Sequence, residues 1–162
     1  MSRDDYDIRV IPSLLERLLD ADPRSSRDVV PSRAESVREL KRAVRRDLEH
    51  LLNSRNSFPD LPAAFAEAAQ SVLTHGLPDF SALNPARPAD QSGLRQLIEA
   101  TIRTFEPRLS SVTASLVPSP TSERALRLRI DARLLIDPNP EPVSFDVVMP
   151  VHTTACEVKE AS

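Results

Sequence analysis

Apolar residues recur along this chain at two different periods, and the change of period divides it. Through roughly the first two-thirds they fall three and four apart, the spacing of one helix face. Pro12 suits the first turn of a short helix over residues 12–20, with Leu14, Leu15, Leu18 and Leu19 on one side. The polar stretch over residues 21–30, containing Pro23, Ser25 and Ser26, reads as an ordered loop or a mobile arm. Ser32 and Ser36 each have a glutamate three residues on, the form of a capping box. Either can start the clearest helix, which runs to about Asn53 with Val37, Leu40, Val44, Leu48 and Leu51 in one stripe. Residues 63–75 predict a second core helix burying Phe65, Ala69, Val72 and Leu73. Gly76 then stands at a left-handed C-cap, with Pro78 beyond. A third helix, from Asp90 or Ser92 to Phe105, presents Leu94, Leu97, Ile98, Ile102 and Phe105.

Pro107 ends that helix and pushes Glu106 out of helical conformation, so Glu106 is expected to be extended. Beyond it the period becomes two. Val112, Ala114 and Leu116 alternate with polar residues, as do Leu126, Leu128, Ile130, Ala132, Leu134 and Ile136, and then Val143, Phe145, Val147, Met149 and Val151. The linkers over residues 119–124 and 137–142 are short enough for antiparallel neighbours. The expected fold is α+β, with three main helices packed on one face of a three-stranded antiparallel sheet. The 162 residues fit one domain, with an N-terminal arm and a polar C-terminal tail after Val151, both expected to be mobile.

Composition narrows the function. Hydrophobic residues at 40% and charged residues at 28% describe a globular chain. No apolar run approaches the roughly 20 residues of a membrane helix, and Met1 to Tyr6 lack a secretory apolar core, so the expectation is a cytosolic protein. A net charge of -3 argues against a nucleic-acid coat. Of the 21 basic residues only Lys41 and Lys159 are lysines. Arginine suits bidentate interface contacts, and a GC-rich coding sequence explains the bias equally well. Two glycines, Gly76 and Gly93, cannot write a glycine-rich phosphate cradle. Cys156 is alone, and His50, His75 and His152 share no ligand spacing, so neither a metal nor a cofactor is expected. Arg38, Lys41, Arg42 and Arg45 line one helix face. That stripe is either a solvated surface or a dock for an acidic partner.

The candidate chemistry lies at the helix-to-strand junction, Phe105-Glu106-Pro107-Arg108-Leu109. In an extended segment Glu106 and Arg108 project to the same side, with Pro107 fixing the backbone between them. They either pair with each other and hold the helix end, or are presented together to a partner. Nucleophilic catalysis has no supporting pattern around Ser13, Ser71 or Ser92. Glu106 with Asp131 or Asp146 can be drawn as a glycosidase pair, but five Phe, one Tyr and no Trp make poor sugar platforms.

Four segments together resemble a known family. They are residues 40–55 on the long helix, residues 71–79 around His75-Gly76, the Glu106-Pro107-Arg108 triplet, and Phe145-Asp146-Val147. In this order, over roughly residues 12–150, they resemble the TssE family of type VI secretion baseplate subunits. That family is similar to a phage baseplate wedge protein and carries a lysozyme-like label. The resemblance implies a non-enzymatic structural subunit in the bacterial cytoplasm, at the inner face of the envelope. It would join the TssF and TssG wedge proteins to the contractile TssB/TssC sheath, among other baseplate components, with no nucleic acid and no membrane insertion. The implied partner-binding residues are Glu106, Pro107 and Arg108. Strand addition at a sheet edge is a compatible mode of docking. The alternative is a peptidoglycan hydrolase using Glu106.

Overall fold

The computed structural model describes residues 18, 32–59, 61–80, 87–117, 125–150 and 155–161. Of the expected first helix only Leu18 falls within these, helical and exposed. The rest of that helix and the polar stretch over residues 21–30 lie outside the described residues.

Helix α1 spans Arg33–Asn53. Ser32, not Ser36, is its cap. The Ser32 hydroxyl accepts from the Glu35 N–H at 3.3 Å, and the Glu35 carboxylate accepts from the Ser32 N–H at 2.8 Å. Its apolar stripe is buried as the spacing predicts, Val44 and Leu48 completely. Helix α2 spans Pro88–Phe105, with proline in the first turn where no N–H is needed. Leu94, Ile98 and Ile102 are buried, while Leu97 and Phe105 pack against the core from its margin.

Four strands follow, β1 Leu109–Leu116, β2 Ala125–Leu134, β3 Glu141–Pro150 and β4 Glu157–Glu160. They form one antiparallel sheet in the order β1-β2-β3-β4. Alternation places Leu128, Ile130, Leu134, Phe145, Val147 and Val158 under the helices, all essentially sealed from water. Each such side chain contributes roughly 1.5–3 kcal/mol relative to exposure. The other face is open and polar. There Arg129 pairs with Asp146 at 2.9 Å across β2 and β3, and Ser144 donates to Asp131 at 2.6 Å. The fold is thus α+β, a sheet with helices on one face.

Two expectations are corrected. Residues 63–75 are not a core helix but three single-turn 3-10 segments, Ala63–Phe65, Ala68–Gln70 and Val72–Thr74. Phe65, Ala69, Val72 and Leu73 are exposed. α1 and α2 already cover the described sheet, so a third helix finds no apolar surface there. The sheet also has a fourth strand where a mobile polar tail was expected. β4 pairs with β3 from Phe145 to Val148 and buries Val158.

Gly76 does take a positive φ, +111°, but the need for glycine comes from packing as much as from ending a turn. A Cβ there would stand 2.4 Å from the Ser54 carbonyl oxygen. The close approach lets Leu77 donate to Ser54 and accept from Asn56, each at 2.9 Å, tying the 3-10 segment back to the end of α1.

Candidate functional site

The junction between α2 and β1 is a four-residue reversal. The Glu106 N–H makes the last helical bond, to Ile102 at 2.8 Å, and Glu106 itself has left helical geometry with φ -123° and ψ 76°. Pro107 occupies the second turn position, where its fixed φ fits. The Leu109 N–H returns to the Glu106 carbonyl at 3.1 Å, closing the turn. Leu135 then donates to the Arg108 carbonyl at 2.8 Å, fastening the corner to the end of β2.

The expected meeting of Glu106 and Arg108 occurs, brought about by a turn instead of an extended segment. Arg108 Nε donates to Glu106 Oε1 at 2.6 Å, and Nη2 donates to Glu106 Oε2, a bidentate clasp. The same Nη2 reaches Asp47 on α1 at 2.6 Å. Glu106 is only 4% exposed, Arg108 and Asp47 are half-buried, and Pro107 is exposed. The hydrogen bond to Glu106 holds the Arg108 guanidinium above its ordinary pKa against the opposing effect of burial, with Asp47 adding to the rise.

Asp47 is the partner that sequence reasoning did not single out. It stands 61 positions from Arg108, and no local pattern marks it. Beside it Arg46 approaches the Asp47 carboxylate at 3.5 Å, and its buried Nε and Nη2 have no hydrogen-bond partner among the described residues. An open cleft of about 430 Å³ lies over the corner, lined by Asp47, Leu51, His75, Phe105 and the Glu106-Pro107-Arg108 turn. His75 meets Phe105 edge-on, ring centroids 5.2 Å apart. Thus two of the four recognised segments, the end of the 3-10 region and the turn, converge on the long helix at one place.

The glycosidase pairing is not assembled. Asp131 and Asp146 are engaged on the open face of the sheet, whereas Glu106 faces α1 on the helical side with both oxygens taken by Arg108. The basic stripe of α1 is partly internal. Lys41 pairs with Glu141 at 3.0 Å, and Arg45 pairs with Glu49 at 3.2 Å. Among the described residues no group of three or more His, Cys, Asp or Glu is placed to hold a metal ion, and no helix is long and apolar enough to cross a membrane.

A family model described as Baseplate wedge protein gp25 matches residues 38–139. That span carries α1 from its second turn onward, the whole of α2, β1 and β2, and the Glu106-Pro107-Arg108 turn. No curated protein matches the chain.

Proposed function

The chain belongs to the baseplate wedge protein gp25 family and has a structural role in a baseplate, and we propose that it serves a type VI secretion system, joining TssF and TssG to the TssB/TssC sheath. The observation that carries this reading is the locked corner. Three charged side chains from α1 and the α2–β1 turn are spent on fixing one another, and together they hold a proline outward. A rigid corner of this kind loses little entropy when a partner docks on it.

On this reading Pro107, the outer edge of Arg108 and the cleft above them receive the wedge proteins, while Glu106 acts from beneath by holding Arg108 in place. The sheath attaches at the sheet, by main-chain pairing along a strand edge. The work is positional, and no step needs a reacting group.

The test is co-purification of this chain with TssF and TssG from the same genome, comparing wild type with Glu106→Ala/Arg108→Ala. Capture by the wild type and loss in a still-folded variant is the expected result. Equal capture by both would move the contact away from the corner and leave the turn a purely internal brace. Failure of both to be captured would overturn the assignment to this wedge.

A further inference from the structure

An open four-stranded sheet has two edges, and each exposes backbone groups able to pair with another chain. Here both are met by side chains from the helices. The Val117 N–H bonds to Arg127, so by the two-residue period Thr113, Ser115 and Val117 turn their backbone groups toward β2, while Val112, Ala114 and Leu116 turn theirs outward. Arg103 donates to the outward carbonyl of Val112 at 2.8 Å, and Glu99 accepts from the outward N–H of Ala114 at 2.9 Å. The two side chains, one helical turn apart on α2, are themselves joined at 3.0 Å. They offer β1 one donor and one acceptor, as a neighbouring strand would.

The far edge is treated alike. The Ala161 N–H bonds to Ser144, so Cys156 and Val158 point away from β3. Asn53 on α1 accepts from the Cys156 N–H at 2.6 Å and donates to its carbonyl at 3.0 Å, and Arg45 donates to the Val158 carbonyl at 3.1 Å.

The two edges differ chiefly in length. β4 has four residues; Asn53 and Arg45 take both outward groups of the preceding Cys156 and the carbonyl of Val158, leaving only the Val158 N–H and the outward groups of Glu160 without a partner among the described residues. β1 has eight, and the outward N–H and carbonyl of Leu116 have no partner among the described residues. Arg103 is also 54% exposed, so its bonds to the strand and to Glu99 lie at the solvent boundary. A bulge at Ser111, φ 53°, sits at the other end of the covered stretch.

We infer that Glu99 and Arg103 form a latch on the outer edge of β1 that keeps a second copy of this chain from pairing there. Two β1 edges meeting antiparallel about a two-fold axis would make one continuous eight-stranded sheet, the association an unguarded edge invites. On the proposed reading a sheath strand pairing on β1 would first have to displace Arg103 and Glu99 from that edge. Self-association of the purified chain needs no sheath and so tests the latch separately from that reading.

The experiment is sedimentation of the purified full chain at one fixed protein concentration. Wild type runs as a single chain. Glu99→Ala/Arg103→Ala, which removes the latch, doubles in mass. Arg103→Glu, which keeps side-chain bulk on the helix but repels Glu99 and loses the donor, does the same, so the result does not depend on the alanine pair folding perfectly. Adding Leu116→Pro to either returns the single-chain mass, because it removes an outward N–H and no bond to β2. Arg45→Ala/Asn53→Ala leaves the mass unchanged, since β4 is too short to hold a partner. Latch variants that stay single chains would overturn the inference, and so would a doubled mass that persists with Leu116→Pro.

Discussion

Replacing Arg108 with alanine should destabilise the domain far beyond what a surface ion pair allows. The guanidinium donates twice to Glu106 and once to Asp47, and Glu106 is 4% exposed. Without Arg108 that carboxylate is buried with no counter-charge, a situation that costs roughly 3–5 kcal/mol. Against a total of about 5–15 kcal/mol for a typical domain, that is a large share. Asp47 is 33% exposed on its side chain, so Asp47→Ala should cost only about 1 kcal/mol. Glu106→Gln in the Arg108→Ala background should recover about 1–2 kcal/mol, because a buried amide is less costly than a buried charge. Urea unfolding followed by far-ultraviolet circular dichroism gives these differences, the chain having no tryptophan to report by fluorescence. An Arg108→Ala cost below about 1 kcal/mol, or a double variant no more stable than the single one, would refute the lock.

Three further outcomes follow from particular contacts. Gly76→Ala should cost about 1–3 kcal/mol in urea unfolding, since φ is +111° and the new Cβ would meet the Ser54 carbonyl at 2.4 Å; an unchanged midpoint would mean that the 3-10 segment is not tied to α1 as described. Ser32→Ala should cost about 1 kcal/mol by removing the capping box, and helical signal should fray with it. Burial, with a smaller contribution from Glu49, pushes the Cys156 thiol up to about 11. At pH 8 the native thiol should therefore react with an aromatic disulfide about two orders of magnitude more slowly than in the unfolded chain, whose cysteine titrates near ~8.5. The unfolded state sheds this proton first, so the same group lowers stability as pH rises from about 8.5 toward about 11. A native rate equal to the unfolded one would contradict the burial of Cys156.

Local signals predicted most of what is local. The boxes at Ser32 and Ser36 offered two starts for α1, of which the structure uses Ser32, the alternation of Leu128, Ile130, Phe145 and Val147 set the face of the sheet, and Pro107 marked the end of α2. Helical periodicity over residues 63–75 misled, because periodicity states what a helix would bury and not whether surface remains for it. Phe65 and Val72 had no uncovered part of the described sheet to pack on. β4 escaped notice because a four-residue strand with one buried side chain, Val158, has too little alternation to detect. The partnership of Glu106 with Arg108 was legible from spacing alone, whereas Asp47 was not. The edge contacts of Asn53 with Cys156, 103 positions apart, likewise had no sequence signature. Arg45 looked like one member of a basic stripe until β4 gave it a carbonyl to cap.

The central claim is that this chain acts by position within a baseplate. It is tested most directly in cells carrying a fluorescent TssB and lacking this chain. The account predicts that no extended sheaths form, that the wild-type chain restores them, and that Glu106→Ala/Arg108→Ala, expressed to the same level and folded, does not. Sheaths that assemble at normal frequency in the absence of the chain would contradict it.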